Sequence, residues 1–344
     1  MSIWQKFFTP NSSRNPKRMG QFHALFVMLA LLAGAFFLSL YFGSASIRFW
    51  DALGELLRGE AVSSDSRILL YLRLPRALGA VLAGSALAVA GVLIQAVLQN
   101  PMAAPNIIGV NSGAGLGAVL LLALFPSAIA YLPLAAFLGA ILACLCIYFI
   151  SASMGARRTT VILVGIAVGA ILNAGINTVK TLFPDSIYDA ETFMVGGLSG
   201  VTLARLWPAA VCIGIGFVLS LLFARDADIL SLGGDTAGSL GMNVKGTRFL
   251  FLILASMLAG AAVSFAGLLG FVGLVVPHIC RYFVGQNHRW LIPVSALGGA
   301  VLVLLCDLLC RILFVPYEIP VGILLSFVGG PFFLILLLRR KDHA

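Results

Sequence analysis

The chain has 344 residues, of which 60% are hydrophobic and only 10% charged, and its mean hydropathy is +1.05. Soluble domains carry about 45–50% apolar and about 25% charged residues, so a soluble enzyme, a disordered chain and a nucleic-acid-binding domain of ordinary composition are excluded. The net charge of +9 then reads as loop topology, because basic residues collect on the cytoplasmic side of membrane proteins.

A membrane span takes about 20 residues. Ten apolar segments follow one another, at roughly 22–42, 77–97, 107–125, 129–150, 160–180, 203–223, 248–266, 267–284, 291–314 and 320–338. The first, longer than the about 7–15 residues of a signal-peptide core, reads as a retained span. The stretch 248–284 is too long for one crossing and is split in two, with one half expected to be short or broken. These segments predict an all-α polytopic membrane protein with about ten transmembrane helices. Residues 1–21 form a cytoplasmic N-terminal segment, 22–338 the transmembrane domain and 339–344 a cytoplasmic tail.

The charges fit two cytoplasmic ends. Lys6, Arg14, Lys17 and Arg18 precede the first span, and Arg339, Arg340 and Lys341 follow the last. Inner loops hold Arg157, Arg158, Arg225, Lys245, Arg248 and Arg289. Outer loops hold Asp51, Glu55, Glu60, Asp65, Asp185, Asp189, Glu191 and Glu318. Three arginines before the second span, Arg67, Arg73 and Arg76, break the rule. So does Arg311 near the outer end of the ninth span, where Asp307 stands four residues away on the same helical face and can pair with it.

Residues 224–247 make a long polar inner loop with a short amphipathic stretch, Ile229, Leu230, Leu232, Ala237, Leu240 and Met242. It predicts one or two short surface helices, read either as an ordinary connection or as a docking surface for a cytoplasmic partner.

Closely spaced small residues, such as Gly113, Gly115, Gly117, Gly165 and Gly169, point to close helix packing. Pro101, Pro105, Pro277 and Pro331 predict broken or kinked spans, tolerated in a bilayer only where buried in protein or lining a cavity. That pattern is more like a transporter than an anchor. The six cysteines read as small buried hydrophobes. No zinc spacing, disulfide framework or phosphate loop is present in the sequence, so a nucleotide that drives transport must bind another chain. His278 is expected to make a helix-end hydrogen bond.

Four stretches, in order along the chain, resemble the FecCD family, the membrane permeases of binding-protein-dependent ABC importers for ferric siderophores, haem and cobalamin. They are Arg73-Leu74-Pro75-Arg76 with the following GAVLAGSALAVAGVLIQAVLQNPMAAPNIIGVNSGAGLG; the inner-loop LSLGGDTAGSLGMNV; GFVGLVVPHICRYFVGQNHRWLIPVSALGGA; and Asp307 to Arg311 with YEIPVGILLSFVGGPFFLILLLRR. Departures stand at Gly234, Gly238, Gln99 and Leu324-Leu325-Ser326.

The resemblance implies the type II importer architecture and a dimer of identical or homologous permeases with the path at its axis. It implies two cytoplasmic ATPases, which bind the ATP and Mg, and an extracytoplasmic binding protein that delivers a ferric siderophore. This chain would hold no cofactor or metal, carry out no covalent chemistry, contact membrane lipid and no nucleic acid, and lie in a bacterial inner membrane. The resemblance assigns ATPase coupling to the loop residues Leu230, Ser231, Leu232, Gly233, Asp235, Ala237, Leu240, Gly241 and Met242. It assigns docking of binding-protein glutamates to Arg73, Arg76 and Arg311, which would explain the basic residues on the outer side. Arg158, Thr159 and Thr160, in the turn between the fourth and fifth spans, are gate candidates. Haem or cobalamin on the same architecture, and a stand-alone secondary transporter, are the alternatives.

Overall fold

The computed structural model describes residues 20–341 apart from 60, 156, 157, 185, 186 and 316. Lys6, Arg14, Lys17, Arg18, Glu60, Arg157 and Asp185 lie outside the described residues.

Among those described, the regular structure is entirely helical. Bilayer hydrocarbon offers backbone groups no partners, so an apolar chain satisfies them within its own helices. The helices are α1 (Gln21–Tyr41), α2 (Phe49–Leu57), α3 (Ser64–Arg67), α4 (Leu74–Leu98), α5 (Val110–Leu124), α6 (Leu132–Ser153), α7 (Arg158–Leu182), α8 (Ile187–Val195), α9 (Leu203–Leu222), α10 (Ala224–Ser231), α11 (Gly234–Ser239), α12 (Val244–Ala266), α13 (Val272–Val284), α14 (His288–Ile312) and α15 (Val321–Lys341). Among the described residues seven helices are long and apolar enough to cross a membrane, and α5, α13 and the Val321–Leu336 part of α15 add three shorter apolar stretches. Each of the ten expected segments holds one of them. The last helix runs on through Lys341, into the segment expected to be a tail.

Helix α4 is the axis of the bundle. At 25 residues it is about 37 Å long, enough to cross the roughly 30 Å hydrocarbon layer. Helices α9, α12, α13 and α14 pack around it, and from Ala86 to Leu98 every residue is buried. Its Ala- and Gly-rich sequence makes this possible, because backbones approach where side chains are small. A Cβ on Gly84 would stand 2.2 Å from the Gly299 carbonyl oxygen of α14, and one on Gly91 would stand 1.9 Å from that of Gly273 on α13.

The break expected within 248–284 falls between Ala266 and Val272. Gly267 turns the chain at φ +68°, a conformation that favours glycine. The 13 residues of α13 span only about 20 Å, and the unwound residues before it make up the depth. Two backbone groups at the break pair with the segment around Phe193–Gly197: Leu268 N–H donates to Phe193 O at 3.1 Å, and Gly197 N–H donates to Ala266 O at 2.9 Å. Gly322 N–H, at the start of α15, donates to Gly196 O at 3.2 Å.

The connection from α4 to α5 folds back into the bundle, burying Ala103, Ala104 and Pro105. Gln95 of α4 holds it there. Its amide nitrogen donates to Ala103 O and to Gly273 O, both at 3.2 Å, and its amide oxygen accepts from Arg281 of α13. His278 sits inside α13 rather than at a helix end, with its ring edge-on to Phe332.

Candidate functional site

At the end of the bundle that carries α2 and α3, a widened turn over Ile68–Arg73 leads into α4. It brings Arg73 under the last turn of α1. The guanidinium donates to Leu40 O at 2.7 Å, Tyr41 O at 2.6 Å and Ala45 O at 2.5 Å. Carbonyls at a helix C-terminus lack intrahelical donors, and Arg73 supplies them.

Arg76, one turn on, donates to Asp307 at 3.0 Å and to Glu318 at 2.7 Å. Arg311 meets Asp307 at 3.2 Å, as the four-residue spacing led one to expect, and donates to Ser39 Oγ at 2.7 Å. Asp307 is wholly buried, so its charge depends on these two guanidiniums. Burial alone would raise the Glu318 pKa. The hydrogen bond and charge of Arg76, with a hydroxyl donor from Ser44, outweigh it and hold Glu318 below its ordinary value.

This cluster ties α1, α4, α14 and the loop before α15 together. Arg73 and Arg311 are only 5% and 3% exposed. Their donors serve this chain's own groups in this structure, while the resemblance assigns both to docking of a binding protein's glutamates. Arg76 is occupied within the chain as well. Among the described residues, the exposed cations at this end include Arg48, Arg58, Arg67 and Arg205.

At the opposite end, α10 and α11 form the two short helices expected of the long loop. Leu230 and Ala237 are fully buried and anchor it. Met242 is half-buried, while Ser231, Asp235 and Gly241 are exposed. Leu232 and Leu240 are both 63% exposed. Gly233, at φ +120°, makes the corner between the helices. The coupling set therefore divides into buried anchors and an outward face with two bare leucines.

Two contacts that sequence reasoning missed hold α10 to the bundle. Gln99, at the left-handed end of α4, donates from Nε2 to Leu230 O at 2.7 Å. His288, at the first turn of α14, donates to Asp228 Oδ1 from its backbone N–H at 2.9 Å and from Nδ1 at 2.6 Å. Burial alone would raise the Asp228 pKa, but the His288 hydrogen bonds outweigh it and hold the carboxyl below its ordinary value. The only sequence signal was an acid in a polar loop and a histidine just before an apolar run.

Between the two ends, α7 and the Pro105–Ile108 turn flank an open groove of about 390 Å³, walled by Asn106, Ile107, Gly165, Ile166, Ala170 and Asn173. Leu163, Ile166, Ala170, Asn173 and Asn177 form an exposed stripe along α7 that turns from apolar to polar, with Asn173 Nδ2 donating to Ser112 Oγ at 3.3 Å. The gate candidates stand in the first turn of this helix and not in a loop. Thr159 is exposed and Thr160 half-buried, and the Arg158 side chain lies outside what is described.

Comparison with known proteins gives one consistent picture. The model of the FecCD transport family matches residues 30–339. The iron(III)-citrate import permease YfmD of Bacillus subtilis is 37% identical, over 95% of this chain and 98% of its own. The iron(III) dicitrate transport permease FecD of Escherichia coli is 39% identical, over 92% and 98%, and the hemin transport permease HmuU of Yersinia pestis is 38% identical, over 80% and 84%. The structure superposes on an inward-facing metal-chelate type ABC transporter with a TM-score of 0.79 and 26% identity, covering 92% of this chain and 98% of the other.

Proposed function

The chain belongs to the FecCD transport family, and from that premise we propose that it is the permease of an ABC importer for a ferric siderophore. The observation that carries this reading is the α10–α11 face, anchored to α4 and α14 and otherwise bare. Exposed Leu232 and Leu240 beside Asp235 suit a protein interface better than water. A cytoplasmic ATPase that binds ATP and Mg grips this face, and its closure moves the ends of α4 and α14 through Gln99 and the Asp228–His288 contact.

The α7 groove faces a second permease, identical or homologous, and the two grooves together line the path. A path walled by Asn106, Asn173 and apolar side chains suits a bulky chelate whose recognition is left to an extracytoplasmic binding protein. That protein docks at the α2–α3 end, where Arg48, Arg58 and Arg67 are exposed and Arg76 lies behind them. Arg158, Thr159 and Thr160 gate the other end. The protein lies in the bacterial inner membrane with both termini cytoplasmic.

Uptake of labelled ferric siderophores, haem and cobalamin by a deletion strain and its complemented strain tests the substrate. Loss and recovery of siderophore uptake alone supports it. The hemin permease is 38% identical against 37% and 39% for the iron-citrate permeases, so overall identity does not separate the chelates, and recovery of haem uptake alone would replace siderophore with haem.

A further inference from the structure

Four helices end around a cavity that the transport reading leaves without a role. The C-terminal ends of α4 and α6 and the N-terminal ends of α7 and α12 enclose about 100 Å³ beside α11. Its floor is Val97, Leu98, Val161 and Leu252, all buried. Its mouth carries Lys245, exposed, and Arg248, half-buried. Tyr148 and Ser151 stand in the wall. Ser151 is 1% exposed, and its hydroxyl has no hydrogen-bond partner in the protein.

A buried hydroxyl without a partner carries a desolvation cost that a polar ligand would relieve. The space is several times what one water needs. Two cations at the mouth select an anion, while the apolar floor selects hydrocarbon. One ligand class combines the two. The ends of membrane spans lie at headgroup depth, and basic pockets between transmembrane helices receive lipid headgroups. A free inorganic anion would leave the floor uncovered.

We propose that this cavity binds an anionic phospholipid. Lys245 and Arg248 receive the phosphate, Ser151 is the further donor in the wall, and the glycerol and first acyl carbons lie on Val97, Leu98, Val161 and Leu252. The site adjoins the loop that α10 and α11 form: Arg248 Nη2 lies 2.7 Å from where a Cβ on Gly234 would stand. Lipid occupancy therefore bears on the position of α11.

The test is native mass spectrometry of the full-length protein released from membranes of phosphatidylglycerol and phosphatidylcholine, with Lys245→Gln and Arg248→Gln alongside. Wild type is expected to retain phosphatidylglycerol preferentially. Each lost cation should weaken that retention about fivefold, the weight of one basic residue at an anionic surface. Lys245 is exposed, so Lys245→Gln decides the matter even if Arg248→Gln fails to fold. Equal retention of both lipids by wild type, or unchanged preference in Lys245→Gln, would overturn the proposal. A second arm adds excess free glycerol phosphate: persistence of the bound lipid supports a lipid site, and its displacement would overturn that in favour of a free phosphate ester.

Discussion

Helices α4 and α7 have the same length and opposite surroundings. In the most apolar stretch of each, 78% of α4 is buried against 28% of α7, although both are rich in Gly, Ala, Val and Leu. The difference lies in where the small residues fall. On α4 they meet other backbones at Gly299 and Gly273, and the helix is locked on all sides. On α7 the stripe from Leu163 to Asn177 stays exposed, touched by this chain at Asn173, which donates to Ser112, and its polar end is costly to leave against lipid. One helix holds the molecule together, and the other keeps an open face, which the proposed function gives to a second permease and to cargo.

The same enlargement on the two helices should break this symmetry most sharply. Gly91→Leu forces side-chain atoms into the α13 backbone and is expected to abolish the folded, detergent-stable protein, well beyond the roughly 1–3 kcal/mol of ordinary overpacking. Ala170→Leu, on the open face, is expected to leave the unfolding temperature unchanged. Size-exclusion profiles and thermal unfolding in detergent read both.

Next in size is Asp307→Ala, which strips the buried end of α14 of the charge that Arg76 and Arg311 face. Breaking a buried pair costs about 3–5 kcal/mol, and a drop in unfolding temperature of that order is expected. An unchanged midpoint would mean that α4 and α14 are held by their glycine contact alone.

Asn173→Leu should separate structure from transport. Exposed substitutions move stability by roughly ±0.5 kcal/mol or less, while chelate uptake should fall several-fold if α7 lines the path. Normal uptake would place the path elsewhere.

The smallest effect is expected at the loop. The Asp228 carboxyl is held below its ordinary value by His288, so its contribution is present above the ordinary carboxylate range and lost as pH falls through the lowered pKa. Asp228→Asn should flatten that acid limb of a stability-versus-pH curve by lowering neutral-pH stability by this small contribution while leaving stability at low pH nearly unchanged. An acid limb identical to wild type would show that α10 is held without this contact.

Much of the frame was legible in the sequence, because a bilayer imposes span length and apolarity locally. The break before α13 followed from a stretch too long for one crossing and too apolar for a loop. The Asp307–Arg311 pair followed from helical spacing. The destination of Arg73 was not legible: its acceptors are backbone carbonyls about thirty residues upstream, and a carbonyl carries no sequence signal. Nor was the pairing of Arg76 with Asp307, which lie 231 positions apart. The outer arginines stood out as an anomaly, and only burial separated Arg73 and Arg311, used inside the chain, from exposed Arg48, Arg58 and Arg67. Gln95 gave no signal, being a single amide in an apolar run, and Gln99 stood out as a departure from the family pattern without pointing to its contact with Leu230.

The most direct test of the transport reading is reconstitution of the permease with its ATPase and binding protein in liposomes, measuring entry of labelled ferric siderophore with and without ATP. Uptake that requires ATP and the binding protein, and that is lost when Leu232 and Leu240 are both replaced by Asp, is the expected result. Uptake by the permease alone without ATP would contradict it and mark the chain as a secondary transporter.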